Sequence, residues 1–243
     1  MKHRSNARHQ RGFTLVEIAI VLMIVGLLIG GILRGQELIT SARVRNIIDQ
    51  KSAIQTAYIG FLDRYRMLPG DLTPAQAAIV GNGVRASNWA PVGDGLINWF
   101  NESVLFFQNL TASGFISCGA CMTVTSSAAS VVGNSPVNVY GDILIAGHVD
   151  SRNNGSSWFD VAPAPGITQL RLYTGAQIPS QVLAEVDRKA DDGLPGTGQF
   201  RFNPGNNPGE ALIGTCTTGL SLANPGATWA NPSQASCAAT WQL

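Results

Sequence analysis

Ionisable side chains are scarce in this 243-residue chain: Asp, Glu, Lys and Arg make up 13% of it, about half of the ~25% usual in a soluble domain. The two signs nearly cancel, 16 basic against 15 acidic, which excludes a broadly basic nucleic-acid binder. Four cysteines are too few for a disulfide-dense scaffold. No G-x-S-x-G elbow or phosphate loop occurs, and only one histidine, His148, lies beyond residue 9. A lone surface histidine is expected to be inert. Disorder is also excluded, because 45% of residues are apolar.

The deficit of charge begins at the N-terminus. Residues 1–12 carry Lys2, Arg4, Arg8 and Arg11 and no acid, whereas residues 13–33 hold a single ionisable side chain, Glu17. A helix of that length matches the ~30 Å apolar core of a bilayer. The basic flank predicts a cytoplasmic N-terminus with everything after Arg34 outside. Gly30-Gly31-Ile32-Leu33-Arg34 leads into more helical pattern instead of a signal-peptidase site, so the apolar segment is expected to be retained. Glu17 is the anomaly. A carboxylate costs up to ~3 kcal/mol at the bilayer centre, and such residues usually mark function and a partner.

Arg11-Gly12-Phe13-Thr14-Leu15-Val16-Glu17 resembles the processing signal of type IV pilins and pseudopilins. The resemblance implies that a prepilin peptidase cuts between Gly12 and Phe13 and methylates the new Phe13 amine. It also implies assembly with other pilin subunits, driven by an ATPase and a platform protein. Gly12 suits a protease site because it has no Cβ to obstruct an extended backbone. Glu17 of an adjoining subunit is the natural opposite charge for the Phe13 amine.

Beyond Arg34, Val44, Ile47, Ile48, Ile54, Tyr58, Phe61, Leu62 and Tyr65 recur at helical spacings. Proline is absent from residues 13–68, and Leu68-Pro69-Gly70 is a stop. One helix of roughly 80 Å is expected, by 1.5 Å per residue. The organisation predicted is a leader at 1–12, a membrane and filament-core helix at 13–33, an amphipathic stalk at 34–68 and a periplasmic or extracellular head at 69–243. Many filament-forming pilins carry a proline in the helix after the apolar segment; its absence here moves weight toward a pseudopilin or minor subunit.

Residues 71–243 hold six basic residues against eleven acids. Short helices are predicted over 74–80, 98–112 and 178–190. Strands are predicted at 115–116, 137–140, 143–146, 169–173, 199–202 and 211–213. The fold class expected is α+β and pilin-like, with the long helix on a small antiparallel sheet. Asp187, Asp191 and Asp192 converge at a helix end. They either bind Ca²⁺ or cap the turn at Gly193, with Arg188 and Lys189 neutralising them. No other cofactor is implied.

Outside the cytoplasm disulfides are the default state of cysteine. Cys118 with Cys121 and Cys216 with Cys237 are natural pairs, although cross-pairing is compatible with the sequence. Haem attachment needs His where Met122 stands, a four-Cys zinc site needs a second close pair, and thioredoxin-like redox chemistry expects a flanking βα unit. The chain reads as a peptidase substrate and structural subunit, not an enzyme. The alternatives are a type II secretion pseudopilin, a minor tip pilin whose head binds a surface or DNA, and a membrane-anchored secreted enzyme. The acidic head argues against nucleic acid as a partner.

Overall fold

A computed structural model describes residues 14–88, 90–99, 101–149, 168–203, 213–219, 226–230 and 234–243. The chain divides into two compact units, Met1–Ala42 and Arg43–Leu243.

Helix α1, Leu15–Tyr65, enters both units without a break, as the absence of proline predicts. In the first unit its side chains are exposed, among them Leu15, Val16, Ile18, Leu22, Met23 and Leu27. It is, among the described residues, the one helix long and apolar enough to cross a membrane. In the second unit α1 turns amphipathic, and Val44, Ile47, Ile54, Ala57 and Phe61 are buried.

Those residues join one core with the inner face of a four-stranded antiparallel sheet. Its strands are β1 (Ile145–Val149), β2 (Gln169–Tyr173), β3 (Phe200–Asn203) and β6 (Ala238–Gln242), in the order β1-β2-β6-β3. Leu170, Leu172, Phe200, Phe202, Ala239 and Trp241 fill the core, and Phe200 stacks on Trp241 with ring centroids 4.2 Å apart. Helix α3 (Ser103–Ala112) adds Phe106, Phe107 and Leu110. This is the α+β, pilin-like architecture expected from the sequence.

Helix α2 (Pro74–Val80) starts at a capping box, with Thr73 as the cap and Gln76 reciprocating. Helix α4 (Ser180–Ala190) turns Val182, Leu183 and Val186 inward. Cys216 ends a short turn of helix, α5 (Ile213–Cys216), followed by the two-residue hairpin β4 (Thr217–Thr218) and β5 (Thr228–Trp229).

Several boundaries differ from expectation for local reasons. Helix α3 begins at Ser103, not Asn98: the Asn98 carbonyl accepts the N–H groups of Asn101, Glu102 and Ser103 in a tight turn instead. Phe115 and Ile116 form no strand, because both N–H groups return to the Leu110 carbonyl and close α3. Val137 makes one isolated bridge to Ile143 around a turn, in place of the strand expected at 137–140. Ile213 opens α5 and is not in a strand; Ala211 and Leu212 of that expected strand lie outside the described residues.

Candidate functional site

Gly12 and Phe13 lie outside the described residues. Glu17 is described, and it closes the first turn of α1. Glu17 Oε2 accepts from the Thr14 N–H at 2.8 Å and from Thr14 Oγ1 at 2.9 Å, while Thr14 Oγ1 accepts from the Glu17 N–H at 3.3 Å. This is a reciprocal cap, and Thr-x-x-Glu is its sequence signature. The intramembrane position of Glu17 points to a partner, and the structure adds this local role with Thr14. The same carboxylate can thus order the start of the helix and present a negative charge there.

In the head, Asp187, Asp191 and Asp192 converge, with one carboxylate oxygen from each within 4.8 Å of the others. Their oxygens already hold the turn that follows α4. Asp187 accepts from Gly193 N–H at 3.1 Å and from Trp229 Nε1 at 2.7 Å. Asp191 accepts from Phe200 N–H at 2.7 Å. Asp192 accepts from Leu194 N–H at 2.9 Å and Thr197 Oγ1 at 2.5 Å. The arrangement is that of capping aspartates, and a cation would have to share these oxygens with their donors.

Asp187 is fully buried. Burial pushes its carboxyl up to about 6, against the lowering effect of the Trp229 and Gly193 bonds and with further upward pressure from Asp192 and Asp191. Arg188 and Lys189 do not neutralise the cluster: both pair with Glu185 on their own helix. Trp229 was not foreseen as a partner, because it reaches Asp187 across 42 residues of sequence. Gly198 is equally bound to the turn. A Cβ there would sit 2.0 Å from Asp191 Oδ2.

The cysteines form two disulfides, Cys118–Cys121 with Cα atoms 5.3 Å apart and Cys216–Cys237 with Cα atoms 5.8 Å apart. The second ties the β4–β5 hairpin to the residue that leads into β6. Replacing both Cys216 and Cys237 with Ala is expected to cost about 3 kcal/mol by the loop-closure argument. The Cys118/Cys121 pair, three residues apart, should cost less. Urea unfolding of the two double variants checks the order.

His148 is more than an inert surface residue. Its Nδ1 accepts from the Ile97 N–H at 2.7 Å, and the His148 backbone N–H donates to the Ile97 carbonyl at 2.9 Å. Burial holds its imidazole down to about 4, opposed by the charge of Asp94. The neutral ring is therefore the folded form. Its stabilising contribution is complete above the ordinary pKa of ~6.5 and is lost as pH falls toward 4, by up to about 1.4 kcal/mol per unit. The buried carboxyls of Asp71 and Glu102, both raised chiefly by burial, act in the opposite direction. The difference in unfolding free energy between the wild type and His148→Gln, followed from pH 7 to 4, should isolate the histidine.

Comparison with protein families matches residues 7–33 to the prokaryotic N-terminal methylation motif. No curated protein and no solved structure matches the chain. The matched residues include Gly12, Phe13 and Glu17, together with the apolar start of α1.

Proposed function

We propose, on the premise that residues 7–33 carry the type IV pilin and pseudopilin signal, that this chain is a filament subunit made as a precursor. Prepilin peptidase removes residues 1–12 and methylates the Phe13 amine. Residues 13–33 then hold the subunit in the inner membrane, with residues 69–243 on the far side. Assembly transfers that segment from lipid to the filament core, where Glu17 faces the Phe13 amine of an adjoining copy.

The observation that carries this reading is the conjunction of the methylation motif with a helix start whose apolar side chains are exposed and whose one acid is Glu17. Both lipid and neighbouring helices can cover such a surface. The buried stretch of α1 beginning at Val44 supports a stalk that becomes part of the head's own core.

A pseudopilin or minor subunit is favoured over a major pilin by one feature. Helix α1 runs without proline from Leu15 to Tyr65, so it has no built-in point of melting beyond the helical glycines. The test of the proposal is whether the processed chain enters a sheared or cross-linked filament fraction in a manner that depends on Glu17.

A further inference from the structure

The outer face of the sheet carries a buried cation that no carboxylate among the described residues pairs with. Arg171, on the inner strand β2, is 2% exposed. Its guanidinium has five N–H donors, and its side-chain partners are neutral: Nη1 donates to Thr240 Oγ1 at 3.3 Å and Nη2 to Gln169 Oε1 at 2.9 Å. The Nε–H is buried without an acceptor. Among the described residues no carboxylate pairs with it. A buried guanidinium normally requires such a partner, since hydrogen bonds to neutral groups do not offset the loss of its hydration.

A second guanidinium stands close by. In the sheet register Arg171 lies opposite Gln242, Tyr173 opposite Thr240, and Arg201 of β3 also opposite Thr240. Alternation along strands therefore places Arg171, Arg201, Thr240 and Gln242 on one face. The bond from Arg171 to Thr240 Oγ1 carries its guanidinium across β6 toward Arg201. Arg201 is half-buried, and its Nε donates to the Gly198 carbonyl at 2.8 Å. Its Nη groups have no partner among the described residues.

Burial, joined by the positive charge of Arg201, lowers the basicity of Arg171 to about 10, and two like charges side by side on one face repel each other. An oxyanion between them would remove the repulsion and take up the idle donors. The planar forks of two arginines match the oxygens of carboxylate and phosphate.

We infer that Arg171 and Arg201, on either side of Thr240 and flanked by Gln242, form a binding site for a small oxyanion, a phosphate, sulfate or carboxylate. The anion enters on the half-buried side, at Arg201, and completes the bonding of Arg171. The remainder of residues 71–243 is acidic, so binding is local and owes nothing to long-range attraction.

The probe is inorganic phosphate, added to the processed full-length chain in neutral detergent micelles, with chloride adjusted to constant ionic strength. The thermal midpoint of the wild type should rise saturably with phosphate. Arg201→Gln should weaken the apparent affinity at least tenfold, and Arg201→Lys should restore part of it. Arg171→Met should behave like Arg201→Gln where it folds; Arg201→Gln decides the matter where it does not. Superimposable phosphate and chloride curves for the wild type would overturn the inference. So would an Arg201→Gln chain that saturates at the wild-type concentration.

Discussion

Glu17→Gln subunits should be cut and methylated normally, yet enter filaments on the order of a hundredfold less than wild type. The figure reflects the ~3 kcal/mol or more lost when one partner of a desolvated ion pair is removed and the other stays buried. Gln is the informative replacement because it separates the capping role of Glu17 from its proposed pairing in the filament. Glu17 caps the first turn of α1 through Thr14, and a Gln in the same capping box can do this as well. What Gln cannot supply is the negative charge for the Phe13 amine. Glu17→Ala loses the charge and the carboxylate's half of the reciprocal cap, while Thr14 Oγ1 can still accept from the residue-17 N–H. Gln and Ala should therefore share the assembly defect while differing at the start of the helix. A Gln variant that assembles like the wild type would reduce Glu17 to a capping residue.

Gly147→Ala should destabilise the head by about 3 kcal/mol, at the upper end of what overpacking usually costs. An added Cβ would lie 2.1 Å from Trp99 Cβ, 2.6 Å from Trp99 Cα and 3.0 Å from Trp99 N. Two of these are backbone atoms, so no rotamer change relieves the overlap. The 97–99 loop must lift from β1. That movement strains both hydrogen bonds between Ile97 and His148 and disturbs the small apolar cluster of Ile145, Tyr173, Ala176 and Ala238, against which Trp99 packs. Gly133→Ala is the control, since a Cβ there meets nothing within 4 Å. Urea unfolding should separate the two variants clearly, with Gly133→Ala within about 0.5 kcal/mol of wild type.

The parts of this fold that could be read from the sequence are those set by local chemistry. Helix α1 follows from an apolar run, a helical period and the absence of proline. Helix α2 follows from Thr73-Pro74, and α4 from Val182, Leu183 and Val186. Strand β2 coincides with the apolar run at 169–173. Strand β6 was not legible, although it pairs with both β2 and β3. Ala238-Ala239-Thr240-Trp241-Gln242 shows no clear alternation, because Thr240 is buried on the outer face while Ala239 and Trp241 are buried on the inner one. Its strand identity comes from its neighbours.

The candidate sites divide in the same way. Thr14 was visible in the Thr-x-x-Glu pattern, and only the intramembrane reading of Glu17 obscured it. Convergence of Asp187, Asp191 and Asp192 was legible from helical spacing. Their partners Trp229 and Phe200 were not, since tertiary packing alone brings them to the turn. Arg171 gave no signal as a single arginine in a strand. Its meaning depends on Arg201, a residue of another strand, and on burial.

Intact-mass and N-terminal peptide spectrometry of the membrane-extracted protein shows directly whether this chain is processed as a pilin-type subunit. The expected chain begins at Phe13 and is one methyl group heavier on its amine. A chain retaining Met1, or one cut at any bond other than Gly12–Phe13, would contradict it.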